Sequence, residues 1–209
     1  MKVNAELKVQ AKNSLEGNWG LATGVVVVVW LLTAAFIGDN ANHSDGDFAS
    51  FMSLVSLLLS GPLTFGLKTI YLKFIRRQEA SFPNIFEGFT YFIQTFILHI
   101  LKTIFIVLWL LLLIIPGIIA ILRYSMAYYI MVDNPGIGGY EAIRRSKEMM
   151  KGHKGRLFYL WLSFLGWFLL GIITFGIGFL YVAPYYEATL AAFYQDLKNH
   201  KDDDWDESF

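Results

Sequence analysis

Six stretches of this 209-residue chain are apolar and long enough to cross, or nearly cross, a hydrocarbon layer about 30 Å thick, which takes roughly 17 to 25 helical residues. They run from Leu21 to Ile37, Phe51 to Leu67, Phe96 to Ile115, Ile118 to Val132, Leu157 to Ile173 and Ile177 to Leu197. Lipid offers no partner to a backbone N–H or C=O, so such segments are helices whose hydrogen bonds close internally. The composition agrees, with 56% hydrophobic and 16% charged residues against about 25% charged in an ordinary soluble domain. The chain reads as all-α, a polytopic integral membrane protein with six transmembrane helices paired as three hairpins.

Turn chemistry divides the stretches. Pro116-Gly117 predicts a tight reversal, because proline cannot continue the helical ladder and glycine accepts turn dihedrals. Asp133-Asn134-Pro135-Gly136 ends the fourth stretch, and Thr174 to Gly178 forms a second uncharged turn. The fourth and sixth stretches carry the weakest apolar signal. A rival reading takes Pro116 as a kink in one long helix and leaves Tyr185 to Leu197 on the cytoplasmic surface, giving four spans.

Seventeen basic and seventeen acidic residues cancel, so net charge predicts no nucleic-acid partner. The positions of the charges say more. With six spans and both termini cytoplasmic, fifteen of the seventeen Lys and Arg fall on the inner side, and the exceptions are Lys102 and Arg123. This is the asymmetry expected when short loops rich in Lys and Arg stay on the cytoplasmic side of a membrane. Four spans would leave the same large loops inside.

The polar segment 1–20 is too long for a secretory signal, and no A-x-A site follows the first apolar run. Val3, Leu7, Ala11 and Leu15 recur every four residues, predicting an amphipathic helix suited to the inner membrane surface. Residues 21–197 then form one transmembrane domain containing a cytoplasmic amphipathic helix over 140–152, and 198–209 form an acidic, disordered tail. Pro62, Pro116 and Pro184 each precede an aromatic-rich half-helix. Three repeated hairpins would explain that pattern, and so would interfacial tyrosines with tolerated prolines.

The stretches LWLLLLIIPGIIAILRYSMAYYIMVDNP, EAIRRSKEMMKGHKGRLF, LSFLGWFLLGIITFGIGFLYVAPY and AAFYQDL, with a weaker SLEGNWG near the start, resemble a bacterial membrane family known as domain of unknown function 975. The resemblance covers nearly the whole chain and implies a multi-pass helical protein of mainly Gram-positive bacteria. It brings no catalytic residues. The outer loop DNANHSDGD and the tail DDDWDESF depart from the shared pattern.

Charged groups within the spans each need a reason, since one at the bilayer centre costs about 2.5 to 3.5 kcal/mol on insertion scales. Lys102 lies close enough to the inner interface to snorkel, with His99 one turn nearer. Arg123 lies roughly 10 Å below its outer turn and Glu187 roughly 13 Å below its own, at 1.5 Å per residue. These matched depths predict a buried Arg123–Glu187 pair, or a shared polar cavity with Tyr124, Tyr128 and Tyr186. On the cytoplasmic helix, Tyr140, Ile143 and Met150 share a face ringed by Arg144, Arg145, Lys147 and Lys151, a surface for anionic lipid headgroups or a membrane partner.

Asp39, His43, Asp45 and Asp47 lack the spacing of a calcium loop, so no metal is expected there. Gly176 and Gly178 lie in an apolar hairpin with no preceding strand and make no phosphate loop. With no cysteine, no HExxH, no GxSxG and Glu187 the one acid deep within a span, neither a catalytic set nor a cofactor is predicted. Prolines inside spans can break helices around transporter sites. The residues favour a small transporter or an auxiliary subunit of a membrane export system, then a structural or envelope-stress factor acting through its basic helix, and last a lipid-headgroup enzyme.

Overall fold

The computed structural model describes the backbone of residues 1–38 and 46–206, and the side chains of 1–33 and 51–200. The regular elements are α-helices: α1 Asn4–Leu15, α2 Trp19–Gly38, α3 Gly46–Ile75, α4 Glu87–Thr90 behind a 3-10 turn at Phe82–Phe86, α5 Phe92–Leu112, α6 Ile114–Arg123, α7 Ala127–Asp133, α8 Gly139–Met149, α9 Lys154–Ile173 and α10 Phe179–Asp206. Among the described residues, four units are long and apolar enough to cross a membrane: Phe51–Ile75 in α3, α5, α6 with α7 as Ile114–Asp133, and α9. A fifth counts if α1 and α2, bent by 99°, form one unit.

The sixth apolar stretch folds as α10 but does not reach that apolarity, because Glu187, Asp196 and Lys198 punctuate it. From Val182 on, most of its apolar side chains go into the protein core instead. Ala188, Ala191, Ala192 and Phe193 are fully buried. The helix continues to Asp206, past the expected boundary at Leu197, and residues 207–209 lie outside the described ones.

The first expected turn falls three residues early. Leu113 takes an extended conformation between α5 and α6, and Pro116 sits in the first turn of α6, where its missing N–H costs nothing. The fourth stretch is two helices, since Tyr124 to Met126 form a turn between α6 and α7. Pro62 and Pro184 lie inside α3 and α10, so the three prolines do not occupy equivalent places. The Thr174–Gly178 turn is present. Phe175 and Gly176 both have positive φ, and the Gly178 N–H donates to the Thr174 hydroxyl at 2.9 Å.

Close backbone contact shapes the middle of α3. A Cβ on Gly66 would overlap the carbonyl oxygen of Ile85, and one on Gly88 would overlap that of Pro62. Glycine at both places lets the 82–90 segment lie directly on α3, where Glu87 also pairs with Lys73 at 3.0 Å. The largest core cluster joins α1, α2, α3, α7, α9 and α10 around Tyr71, Tyr129, Phe164, Phe193 and Tyr194. A second joins α3, α5, α7 and α8 around Phe65, Leu98, Tyr128 and Ile143. The stripe of α1 enters the first cluster: Leu7, Ala11 and Leu15 are fully buried, with α10 the main neighbour of this helix, while Val3 stays exposed. The face expected to rest on the membrane is therefore spent inside the protein.

Candidate functional site

The polar groups of the bundle converge on α7. This short helix carries two adjacent tyrosines which, about 100° apart on the helix, face different neighbours. Tyr128 meets α5, where the His99 Nδ1 stands 3.0 Å from its hydroxyl and the Lys102 Nζ lies 5.2 Å from its ring centre. Tyr129 meets α3, with the Lys68 Nζ 5.3 Å from its ring centre. Lys68 forms an ion pair with Glu187 of α10, their side chains 12% and 18% exposed. A lysine over an aromatic face recovers part of the attraction lost on leaving water.

His99 also reaches Ser60 of α3, Nε2 to Oγ, at 3.0 Å. The Ser60 hydroxyl donates to the Leu57 carbonyl at 2.9 Å, so we assign the proton to Nε2, which donates to Ser60, and Nδ1 accepts from Tyr128. The chain Ser60–His99–Tyr128 thus ties α3, α5 and α7 together. Two lysines against one glutamate leave this centre with net positive charge. The Tyr129 hydroxyl is buried without a hydrogen-bond partner among the described residues.

Beside the ion pair opens a crevice of about 230 Å³, with Val26, Trp30, Leu67 and Phe168 among its apolar walls and Tyr186 and Glu187 as its polar lining. Tyr186 packs edge-on against Phe164 and Phe168. The result is a narrow apolar slot ending at a buried charge pair.

Glu187 does not pair with Arg123. Matched depths do not bring the two together, because Glu187 faces α3 while α6 packs against α5 and α9. The Arg123 carbonyl instead accepts from Ser146 Oγ of α8 at 2.8 Å, and its side chain forms no ion pair among the described residues. Tyr124 packs on Phe105, ring centres 6.0 Å apart, away from the charged centre. Of the expected cavity set, Glu187 and Tyr186 share the crevice and Tyr128 stands in the adjoining polar chain. Lys68, His99 and Lys102 were the residues missed as site members. The available signal was that Lys68 and Lys102 each adjoin a long uncharged stretch, as Arg123 does.

The expected 140–152 helix forms as α8 and ends at Met149; its Ala142, Ile143 and Ser146 and the following Met150 are buried, and Tyr140 is exposed. Arg144, Arg145, Lys147 and Lys151 are all exposed. Glu141 binds Arg144 through two hydrogen bonds of 2.7 Å and Arg145 through one of 3.0 Å. These bonds, Arg144 foremost, hold the Glu141 carboxyl down at about 2. The Glu141 charge therefore sits directly against Arg144 and Arg145 and offsets part of the basic face. Asp39, His43, Asp45 and Asp47 lie outside the described side chains.

A family model described as a protein of unknown function, DUF975, matches residues 1–122 and 107–201. The chain belongs to this family. The matches to the DUF975 model include every residue of the polar centre, from Ser60 to Glu187. No curated protein matches the chain, and no solved structure does.

Proposed function

We propose that this DUF975 protein binds the headgroup of an anionic or zwitterionic amphiphile at the Lys68–Glu187 centre, as a small transporter or as an auxiliary subunit of an export system in a bacterial cytoplasmic membrane. The observation that carries this reading is the junction of a buried charge pair with an apolar slot between α2, α3, α9 and α10. A buried pair is rarely the most stable filling for a core. An amphiphile uses both halves of this one, its phosphate drawn to Lys68 and Lys102 and its chain to Phe168 and Val26. The reading assigns no catalytic step.

The Lys2 backbone N–H donates to Asp196 at 3.0 Å, which supports placing both ends of the chain on one side. The positive-inside rule supports the cytoplasmic side. The test is native mass spectrometry of protein reconstituted with phosphatidylglycerol, comparing wild type with the Lys68→Met/Glu187→Leu double variant, which leaves no lone buried charge. Loss of retained lipid in the double variant is expected. Equal retention would overturn the reading.

A second reading rests on the four exposed cations on and just after α8, a surface for anionic headgroups or for a membrane partner of a structural or envelope-stress factor. Copurification of a partner that disappears when Arg144, Arg145, Lys147 and Lys151 are all changed to glutamine, with lipid retention unchanged, would favour it.

A further inference from the structure

We propose that the α9–α10 hairpin does not cross the bilayer. It lies in the leaflet next to α1, with its tip, Thr174–Gly178, held among the acyl chains of that leaflet. The reason is what the hairpin carries along its length. At its base, Arg156 binds the Lys2 carbonyl and Asp196, and the Asn4 side chain donates to the Arg156 carbonyl at 3.2 Å. Further along, the Lys8 Nζ reaches the Ser163 carbonyl at 3.1 Å. Near the tip, Trp19 stacks on Tyr181 with ring centres 4.7 Å apart, and the Thr23 hydroxyl donates to the Leu180 carbonyl at 3.2 Å. Thus α1 runs beside the hairpin from its base to Ser163, and the first turns of α2 meet it within a few residues of its turn.

The helix α1 cannot follow the hairpin through hydrocarbon. Glu6, Lys12 and Asn13 are exposed, and Asn18, next to Trp19, borders a polar depression with Arg77, Gln78 and Glu79. Both ends of α1 therefore stand at one aqueous boundary, and so do Asp196, bound to Lys2, and Tyr181, stacked on Trp19 at the start of α2. The 99° bend between α1 and α2 sets the other direction. If α2 enters the bilayer, α1 and the hairpin along it lie near the membrane plane. Although α9 is long and apolar enough to span, its exposed apolar residues fit an in-plane helix. Phe158, Leu162, Leu165, Leu169 and Ile172 repeat every three or four positions, Tyr159, Trp167, Leu170 and Ile173 widen this exposed face, and Phe175 at the tip is 99% exposed. The occupant of this face is the acyl-chain layer of a single leaflet.

The chain contains no cysteine, so single introduced thiols report cleanly. Phe175→Cys and, as a marker for the α1 side, Asn13→Cys are each introduced into the full-length protein in sealed vesicles. The expected result is that the Asn13→Cys thiol reacts with an impermeant maleimide from one side only, while the Phe175→Cys thiol is protected from both. A bimane attached to the Phe175→Cys variant is then quenched by acyl-chain nitroxide lipid confined to the leaflet on the side from which Asn13→Cys is labelled. Labelling of Phe175→Cys from either side, or quenching only from the opposite leaflet, would overturn the proposal.

Discussion

Lys68 and Glu187 stand 119 positions apart in the chain and form an ion pair between α3 and α10, above the ring of a tyrosine from a third helix. Neither group has a second opposite charge in direct contact among the described residues. Removing one partner strands the other in a site that water scarcely reaches. Lys68→Met alone and Glu187→Leu alone should each lower stability by about 3 kcal/mol. The double variant should lose less than the two added together. Thermal unfolding in detergent of the four proteins of the cycle measures this, and strict additivity would mean that the pair is not coupled.

Asp133 is the more heavily partnered carboxylate. Arg76 binds it through both terminal nitrogens at 2.7 and 2.8 Å, Lys198 at 2.7 Å and the Tyr194 hydroxyl at 2.9 Å, and its side chain is 6% exposed. It joins α3, α7 and α10. Asp133→Ala should destabilise by about 3 kcal/mol, leaving two cations without their common anion, whereas Tyr194→Phe should cost about 1 kcal/mol. Chemical-denaturation midpoints would separate the two, and similar costs would argue that the aspartate holds no junction.

The pH dependence at α8 has a defined sign. Because Arg144 and Arg145 depress the Glu141 carboxyl to about 2, its contribution to the folded state is fully present above the unfolded value of about 4.3 and is lost as pH falls through about 2. The stability difference between wild type and Glu141→Gln should therefore be the same at pH 7 and pH 5, and decline only in stronger acid. A difference already gone at pH 4 would contradict the bridge. The same variant frees two arginines and should bind anionic vesicles several-fold more tightly, read by flotation at low salt.

Backbone contact at Gly66 leaves no room for a methyl group, since the Ile85 carbonyl occupies its place. Gly66→Ala should push the 82–90 segment off α3 and cost about 2 kcal/mol. Gly24→Ala, in α2 with open space around it, should be neutral or slightly stabilising. Equal melting temperatures for the two variants would refute the close approach.

Much of the helical layout was legible in local pattern. The Thr174–Gly178 turn, the interruption after Asp133 and the stripe Leu7, Ala11 and Leu15 follow from turn chemistry and periodicity, which act over a few residues. The partner of that stripe was not legible, because a helix face suited to a membrane surface is equally suited to another helix. Leu7 and Leu15 are buried in the protein, with α10 the main neighbour of their helix. Tyr128 and Glu187 were recognisable as polar groups at depth, yet Lys68, His99 and Lys102 looked like ordinary interface residues until α7 was seen to turn its two tyrosines between them.

The sequence by itself determined that the chain is helical, where its apolar helices lie, which segments carry the basic charge, and how far along their helices Arg123 and Glu187 sit, because rise along a helix is local and fixed at about 1.5 Å per residue. Only the tertiary structure decided that Glu187 meets Lys68 rather than Arg123, and that α10 serves as a bed for α1. Depth along an axis says nothing of azimuth. The side a residue faces, and the helix it finds there, follow from packing contacts between segments far apart in the chain.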